Sequence, residues 1–259
     1  MNAIDDALYL IRTRGWAHFP AALAAGRVAK LIADSESVYA ERRKIQIKNG
    51  VSGNMEGSAH HVLGHGDALD GFIDPPPLYD VIEAHFGGKV ILLNFGATLN
   101  PPGGKTYTQK AHRDVRAFTP GYPISLNMLV MLDDFTPENG ATLVLAGSQH
   151  VQPMPPPELF AQYAQQITGK AGDIVLFDSL LVHSAAPNLS DAPRRALTLC
   201  FGRPFVKPQM DWRRFIAPGR LEAFGEAGRQ LLGLNARVAE NLEEYYQPQP
   251  NWTFKADQI

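Results

Sequence analysis

Four residues of this 259-residue sequence have the types and order needed to hold a redox metal and an acidic co-substrate. The segment Gln109-Lys110-Ala111-His112-Arg113-Asp114 follows a Gly/Pro stretch and precedes strand-like residues. If it is extended, His112 and Asp114 project from one face because side chains alternate with period two, and Arg113 takes the other. Leu180-Leu181-Val182-His183-Ser184 offers a second imidazole at the end of an apolar strand. Two histidines and one carboxylate on one face of an iron ion leave three positions open for co-substrate and oxygen. Downstream, Arg194 heads the next strand, where a guanidinium can grip a carboxylate with two parallel hydrogen bonds. A His-x-Asp triplet alone arises often by chance, and His183 alone suits a core; the order of all four gives the chemistry its weight.

Other motifs fail on inspection. Pro101-Pro102-Gly103-Gly104-Lys105-Thr106 ends like a phosphate-binding loop but has Leu99 where the first glycine belongs. Phe177-Asp178-Ser179-Leu180 lacks the glycine of a Gly-Asp-Ser-Leu hydrolase, and Gly50-Val51-Ser52-Gly53 is one residue short of a nucleophile elbow. In His60-His61-Val62-Leu63-Gly64-His65, a helix would put His61 and His65 on one face, but the surrounding glycines disfavour one. A polar loop or lid, with substrate contact ahead of metal binding, is the reading for these histidines.

The elements that must carry the four residues follow from periodicity. Residues 4–46 read as helical apart from a strand-like break at Trp16–Phe19, with one stripe at Leu23, Val28, Leu31, Ile32 and Val38. Residues 47–77 are loop-like and glycine-rich, ending in Pro75-Pro76-Pro77. Strands are expected at Lys89–Leu99, Ile124–Leu132, Thr142–Leu145, Asp173–Phe177, Leu180–His183 and Arg195–Phe201, with one helix at Pro156–Ile167 among them. Residues 211–246 return to helix. Spacers this short exclude a doubly wound parallel sheet and leave a mainly β core, a barrel or double-sheet jelly roll, with flanking helices. The ligand candidates span the strand block, so a single domain over 1–259 is expected: N-terminal helices and lid loop at 1–88, core at 89–205, C-terminal helices and tail at 206–259.

Composition bounds the partners. Lys plus Arg number 24 against 26 Asp plus Glu, a formal charge of -2, which argues against a nucleic-acid surface. Cys200 is the sole cysteine, so no intrachain disulfide and no all-cysteine metal site can form. No apolar run is long enough to cross a bilayer and the acidic N-terminus is unlike a secretory signal, so a cytoplasmic protein without membrane contact is expected. A monomer is the preferred oligomeric reading, because apolar stripes such as Leu231, Leu232, Leu234, Val238 and Leu242 are more often core than interface.

The ordered set His112-x-Asp114, Leu132-Asp133-Asp134, Pro137-Glu138-Asn139-Gly140-Ala141-Thr142, Gly147-Ser148-Gln149-His150, Gly172-Asp173, His183, Asn188 and Arg194 resembles the phytanoyl-CoA dioxygenase family, over about Trp16 to Phe205. The family's Pro-Gly-Ser-His is here Ala146-Gly147-Ser148-Gln149-His150, one residue longer, and its tryptophan on the strand before Asp133 is missing. The resemblance implies an iron(II)- and 2-oxoglutarate-dependent oxygenase that uses O2, with a double-stranded β-helix core of the cupin-like jelly-roll type. It implies His112, Asp114 and His183 as iron ligands and Arg194 as the anchor of the distal carboxylate of 2-oxoglutarate. Asn127 and Gln109 are further co-substrate candidates, and Arg195 should face away from the site. Related halogenases carry a small residue in place of the carboxylate, so by the resemblance Asp114 favours hydroxylation or another oxygenative outcome over halogenation.

Competing readings on the same fold are a cupin-like metal-dependent isomerase and a non-catalytic small-molecule binder. The substrate is a small molecule of open class: acyl-CoA, amino acid, sugar or natural product. Candidate selectivity elements are residues 47–77, Asn100–Thr108 and Trp212-Arg213-Arg214. Lys44, Lys48, Lys105 and Lys110 form a candidate basic rim, and Arg113 and Arg116 are candidate contacts to an anionic substrate.

Overall fold

In the computed structural model, which describes residues 2–103 and 106–258, three layers stack. The order is a helical layer, a six-stranded antiparallel sheet and a three-stranded antiparallel sheet. Gly104 and Lys105, and with Lys105 one member of the proposed basic rim, lie outside the described residues.

The N-terminal helices form as their sequence requires. Helix α1 (Ala3–Arg14) is capped by Asn2, whose Oδ1 accepts from the Asp5 amide at 2.9 Å. It stops at Gly15, whose φ of 97° suits glycine. A side chain there would also collide with Leu181 and Gln149. Strand β1 (Trp16–Phe19) follows, then α2 (Ala25–Lys48), which buries Val28, Leu31, Ser35 and Val38 along one stripe. Short α3 (Asp67–Asp70) and α4 (Tyr79–Phe86) complete the layer.

The glycine-rich stretch at 47–77 is more ordered than a loop: Ser58–His60 forms β2, an edge strand of the large sheet. The sheet adds β3 (Ile91–Asn100) and β4 (Ser125–Met131). In the small sheet, β5 (Thr142–Val144) pairs with β6 (Gln165–Ile167). Strands β7 (Ile174–Asp178), β8 (His183–Ala185) and β9 (Arg194–Gly202) end the set. The large sheet runs β1-β7-β4-β9-β3-β2 and the small one β6-β5-β8. Two expectations are corrected. Pro156–Ile167 is a helix only over α5 (Pro157–Tyr163) before turning into β6, and Leu180–Val182 form a turn, so β8 begins at His183 itself. The C-terminal region is broken into α6 (Trp212–Phe215), α7 (Pro218–Glu222), α8 (Glu226–Leu231) and α9 (Leu242–Tyr245). Leu231 and Leu232 join the main core, whereas Val238 and Leu242 are exposed. Helices thus claim more of the chain than a mainly β reading expects. Among the described residues no helix is long and apolar enough to cross a membrane.

The pleat sorts side chains by chemistry. Leu126, Met128 and Val130 of β4 and Leu197, Leu199 and Phe201 of β9 face the helices, in one core with Leu31, Phe72, Phe95 and Trp212. The other face of the sheet carries Leu129, Met131, Val175, Phe177 and Ala196, which meet Val144 and Ile167 of the small sheet in a second core. That second core is small, and beside it the inner face turns polar.

His85 of α4 is a half-buried base of this helical layer whose Nε2 is enclosed without a hydrogen-bond partner. Burial first, and then the nearby Arg12 and Arg203 guanidinium groups, push it down to about 4. The unfolded chain takes up this proton below about 6.5 while the native state refuses it until about 4, so the stability it contributes is full above that window and is lost as pH falls through it. The urea midpoint should therefore drop between about pH 7 and pH 4, with a shallower drop in His85→Gln. Parallel curves for the two proteins would show that His85 does not contribute.

Candidate active site

His112 and His183 form an isolated antiparallel bridge, exchanging backbone hydrogen bonds of 3.0 Å in both directions. Asp114 N donates to Ser179 O at 3.1 Å, so the 112–114 segment lies along the turn that leads into β8. The ring centroids of the two histidines are 4.4 Å apart. His112 Nε2 lies 3.4 Å from Asp114 Oδ1, and His183 Nε2 lies 3.7 Å from Asp114 Oδ2. One ligand atom from each of the three falls within 4.8 Å of the others, the one such cluster of His, Cys, Asp or Glu found among the described residues.

The histidine tautomers follow from their neighbours. His112 Nδ1 is 2.8 Å from Lys110 O and His183 Nδ1 is 2.9 Å from Leu181 O. A carbonyl only accepts, so both Nδ1 atoms carry a proton and both Nε2 atoms are turned toward Asp114. Backbone carbonyls behind ligating imidazoles are the usual device for fixing ring orientation. Asn127 Nδ2 donates to Asp114 Oδ2 at 2.7 Å and orients the carboxylate. Burial lowers the pKa of His183. Burial acts the same way on His112, but the hydrogen-bonded Asp114 outweighs it and leaves that imidazole above its ordinary value. Burial likewise works to raise Asp114, and the hydrogen bond with His112 and the charges of both histidines overcome it. Two imidazole Nε2 atoms that give up any proton to a metal and one anionic carboxylate, drawn together in this way, fit a divalent first-row metal such as iron.

Arg194, at the start of β9, is 4% exposed, with its guanidinium carbon 4.0 Å above the Phe135 ring centroid. Its Nε and Nη1 are buried without a hydrogen-bond partner, and burial lowers it to about 10, still cationic at neutral pH. A buried, unmatched guanidinium is costly unless an anion meets it. Its neighbour Arg195 faces the opposite way, as expected, and is fully occupied by Asp133 at 2.8 and 2.9 Å and Glu36 at 2.7 Å.

Arg194 and the three ligand candidates line one cavity of about 320 Å³. Asn127 also lines it, while Gln109 lines a neighbouring outer groove that shares His112. Of the selectivity elements, Ser58, His60, Asn100, Thr106, Tyr107 and Thr108 reach the cavity. Trp212 does not: it is buried and donates from Nε1 to Leu92 O at 2.9 Å, while Arg213 pairs with Glu240. Lys44 and Lys48 are exposed on α2 and line neither space; Lys110 and Arg116 line the outer groove. The second half of the histidine run is structural: His61 sits edge-on to Trp212 and His65 pairs with Glu41 at 2.9 Å. Sequence reasoning missed Asn94, Thr198, Lys207 and Gln209 as cavity residues. The alternation of Asn94, Gly96, Thr98 and Asn100 with Phe95, Ala97 and Leu99 was the available signal.

Arg113 is corrected from substrate contact to clamp. Its guanidinium donates to Leu180 O at 2.8 Å, Gln152 O at 2.7 Å, Ser148 O at 2.9 Å and Val151 O. The residue between two ligand candidates therefore ties their segment both to the turn before His183 and to the 148–152 turn.

Two-sheet architecture and metal-suited triad together define a class of cupin-type, metal-dependent proteins, and the comparisons narrow it. The profile of the phytanoyl-CoA dioxygenase family matches residues 11–196, so the chain belongs to that family. An uncharacterized Mycobacterium tuberculosis protein, Rv1501, is 35% identical over 185 residues, 68% of this chain and 67% of its own. L-proline trans-4-hydroxylase of Streptomyces griseoviridis is 24% identical over 227 residues, 73% of this chain and 82% of its own. Among solved structures, the epimerase SnoN in complex with Fe3+, alpha ketoglutarate and nogalamycin RO superposes with a TM-score of 0.63 at 20% identity, covering 84% of this chain and 91% of its own. EvdMO1 matches with a TM-score of 0.62 at 22% identity, covering 78% of this chain, which spans half of EvdMO1's length.

Arg113→Ala should destabilise the fold by about 1.5–3 kcal/mol, the range for hydrogen bonds to a charged donor. It should also weaken Mn(II) binding measured by calorimetry. Unchanged urea stability together with unchanged Mn(II) affinity would remove the clamp role.

Proposed function

We propose that this chain is an iron(II)- and 2-oxoglutarate-dependent dioxygenase that hydroxylates an unactivated C–H bond of a small molecule, with formation of succinate and CO2. The observation that carries the reading is the convergence of two Nε2 atoms and the Asp114 carboxylate in the cavity that also holds the unmatched Arg194 guanidinium. The two facing sheets are read as a double-stranded β-helix, and residues 1–259 as one oxygenase domain.

In this reading His112, Asp114 and His183 hold the iron, and Arg194 binds the distal carboxylate of 2-oxoglutarate. The bound iron and co-substrate supply the oxidising chemistry with O2. The protein's work is positional. The Lys110 and Leu181 carbonyls keep both imidazoles in the ligating tautomer. Asn127 holds one carboxylate oxygen of Asp114 and so limits how far it rotates. Arg194, stacked on Phe135 and shielded from water, offers its paired donors to one carboxylate only. Asp114 occupies the position that halogenating relatives leave small, which supports an oxygenative outcome.

Fe(II) with 2-oxoglutarate under anaerobic conditions should give the weak visible charge-transfer band of such a chelate, and His112→Ala and His183→Ala should abolish it. Arg194→Gln should raise the apparent 2-oxoglutarate constant by about 30-fold or more, as expected when a buried charge loses its partner. A normal band in either histidine variant, or an unchanged constant in the arginine variant, overturns the corresponding assignment. Succinate release separates this reading from a cupin-like isomerase and from a non-catalytic binder.

A further inference from the structure

The Arg194 guanidinium is aimed by something other than hydrogen bonds of its own. Its Nε and Nη1 find no partner among the described residues, and the Phe135 ring offers it a surface rather than a direction. A side chain this long is a useful anchor only if the backbone that carries it is fixed. The aim therefore rests on where β9 begins. On one side of that point Asp133 accepts from Arg195 N at 2.7 Å and grips the Arg195 guanidinium. On the other is a knot of hydrogen bonds around Asn188, which is fully buried and does not line the cavity.

Asn188 Nδ2 donates to Asn100 O and to Ala192 O, both at 2.8 Å. Its Oδ1 accepts from Ser190 N at 3.0 Å and from Ser190 Oγ at 2.7 Å, so the whole carboxamide is used. The Asn188 backbone carbonyl accepts from Gly103 N at 2.8 Å. Asn100 returns the contact, donating from Nδ2 to Ala186 O at 3.1 Å. Space is reserved for this packing at Gly140, whose φ is 80° and where a side chain would strike Ala186 O and the Asn100 amide nitrogen. Leu189 N donates to Glu138 O at 2.7 Å, which brings the turn carrying Gly140 into the knot.

The place of the knot in the chain gives it a function. Residues 186–193 are the whole connection between β8, which starts at His183, and β9, which starts at Arg194. Pro187 and Pro193 stiffen its two ends by fixing φ. Asn100 is the direct cross-strand partner of Arg194, so the two residues share a face of the sheet. The Asn188 carboxamide thus ties the approach to Arg194, at Ala192, to the strand position that Arg194 pairs with. One buried side chain fixes how a metal-ligand candidate and the guanidinium are spaced along their connection.

We infer that Asn188 is a positioning residue for the co-substrate anchor: it sets the start of β9 so that the Arg194 guanidinium meets the far carboxylate of 2-oxoglutarate, without touching that ligand itself. This inference rests on the oxygenase reading, and one experiment separates the two. Protein loaded with Mn(II) is titrated by calorimetry with 2-oxoglutarate and, separately, with oxalate, which can chelate the metal but has no far carboxylate. Asn188→Ala and the milder Asn188→Ser should weaken 2-oxoglutarate about tenfold or more, the loss usual when an outer partner of a ligating group is removed, while Mn(II) and oxalate bind as in the wild type. Gly140→Ala, which presses on the same knot from another turn, should reproduce that split. In an Arg194→Gln background Asn188→Ala should bring no further loss of 2-oxoglutarate affinity, because the anchor it positions is gone. Full 2-oxoglutarate affinity in the Asn188 variants or in Gly140→Ala, a parallel loss of oxalate or Mn(II), or an additive loss in the double variant overturns the positioning role. Failure of 2-oxoglutarate to bind the wild type, or unchanged affinity in Arg194→Gln alone, overturns the reading of the site instead.

Discussion

The reciprocal backbone hydrogen bonds between His112 and His183 are the constraint from which the site follows. A pair that exchanges both bonds brings two Cα atoms to about 5.5 Å and sends both side chains to the same face. The imidazoles therefore converge without any side-chain interaction needing to draw them together. The two residues are far apart in sequence and neither lies inside a long strand, since β8 begins at His183 and His112 belongs to no strand. The junction is held by what surrounds it. Arg113 reaches the carbonyl before Leu181, and Ser148 Oγ accepts from Val182 N at 2.8 Å. Asp178 N donates to Gly15 O at 2.9 Å, tying the foot of the turn to the end of α1.

This arrangement depends on a sheet with two unlike faces. One face is sealed by helices around Leu126, Met128, Val130, Leu197, Leu199 and Phe201, where apolar burial supplies most of the driving force for folding. The other face carries Asn94, Thr98, Asn127, Arg194 and Thr198. Leaving such groups in a cavity costs stability unless ligands satisfy them. The apolar core under the helical layer offsets that cost.

That division explains what the sequence could reveal. Strand positions in the large sheet were legible because β4, β7 and β9 are short, apolar-rich runs bounded by turn residues. The opposite orientations of Arg194 and Arg195 were legible from period two alone. The ligand candidates were legible by type and order. Hidden features were those set by distant partners. The three residues of β2 carry no periodic signal and become a strand only by pairing with β3. Gln165–Ile167 continues a helix-like composition and is recruited to pair with β5. Arg113 resembles a surface cation in sequence; only the carbonyls of residues 148–152 and 180, brought alongside by tertiary folding, turn it into a clamp.

Cys200 shows how far the local field controls the metal chemistry. It pairs across β4 with Asn127, the residue that holds Asp114, and it lines the cavity. A thiolate there would compete for a soft or borderline metal ion. Burial and the neighbouring Asp114 carboxylate push its thiol up to about 12, so it stays protonated at physiological pH. The same carboxylate that serves as the anionic ligand candidate thus disfavours a second anion beside it. Burial first and the Asp114 carboxylate second keep this thiol protonated, so the candidate donor set stays nitrogen and oxygen.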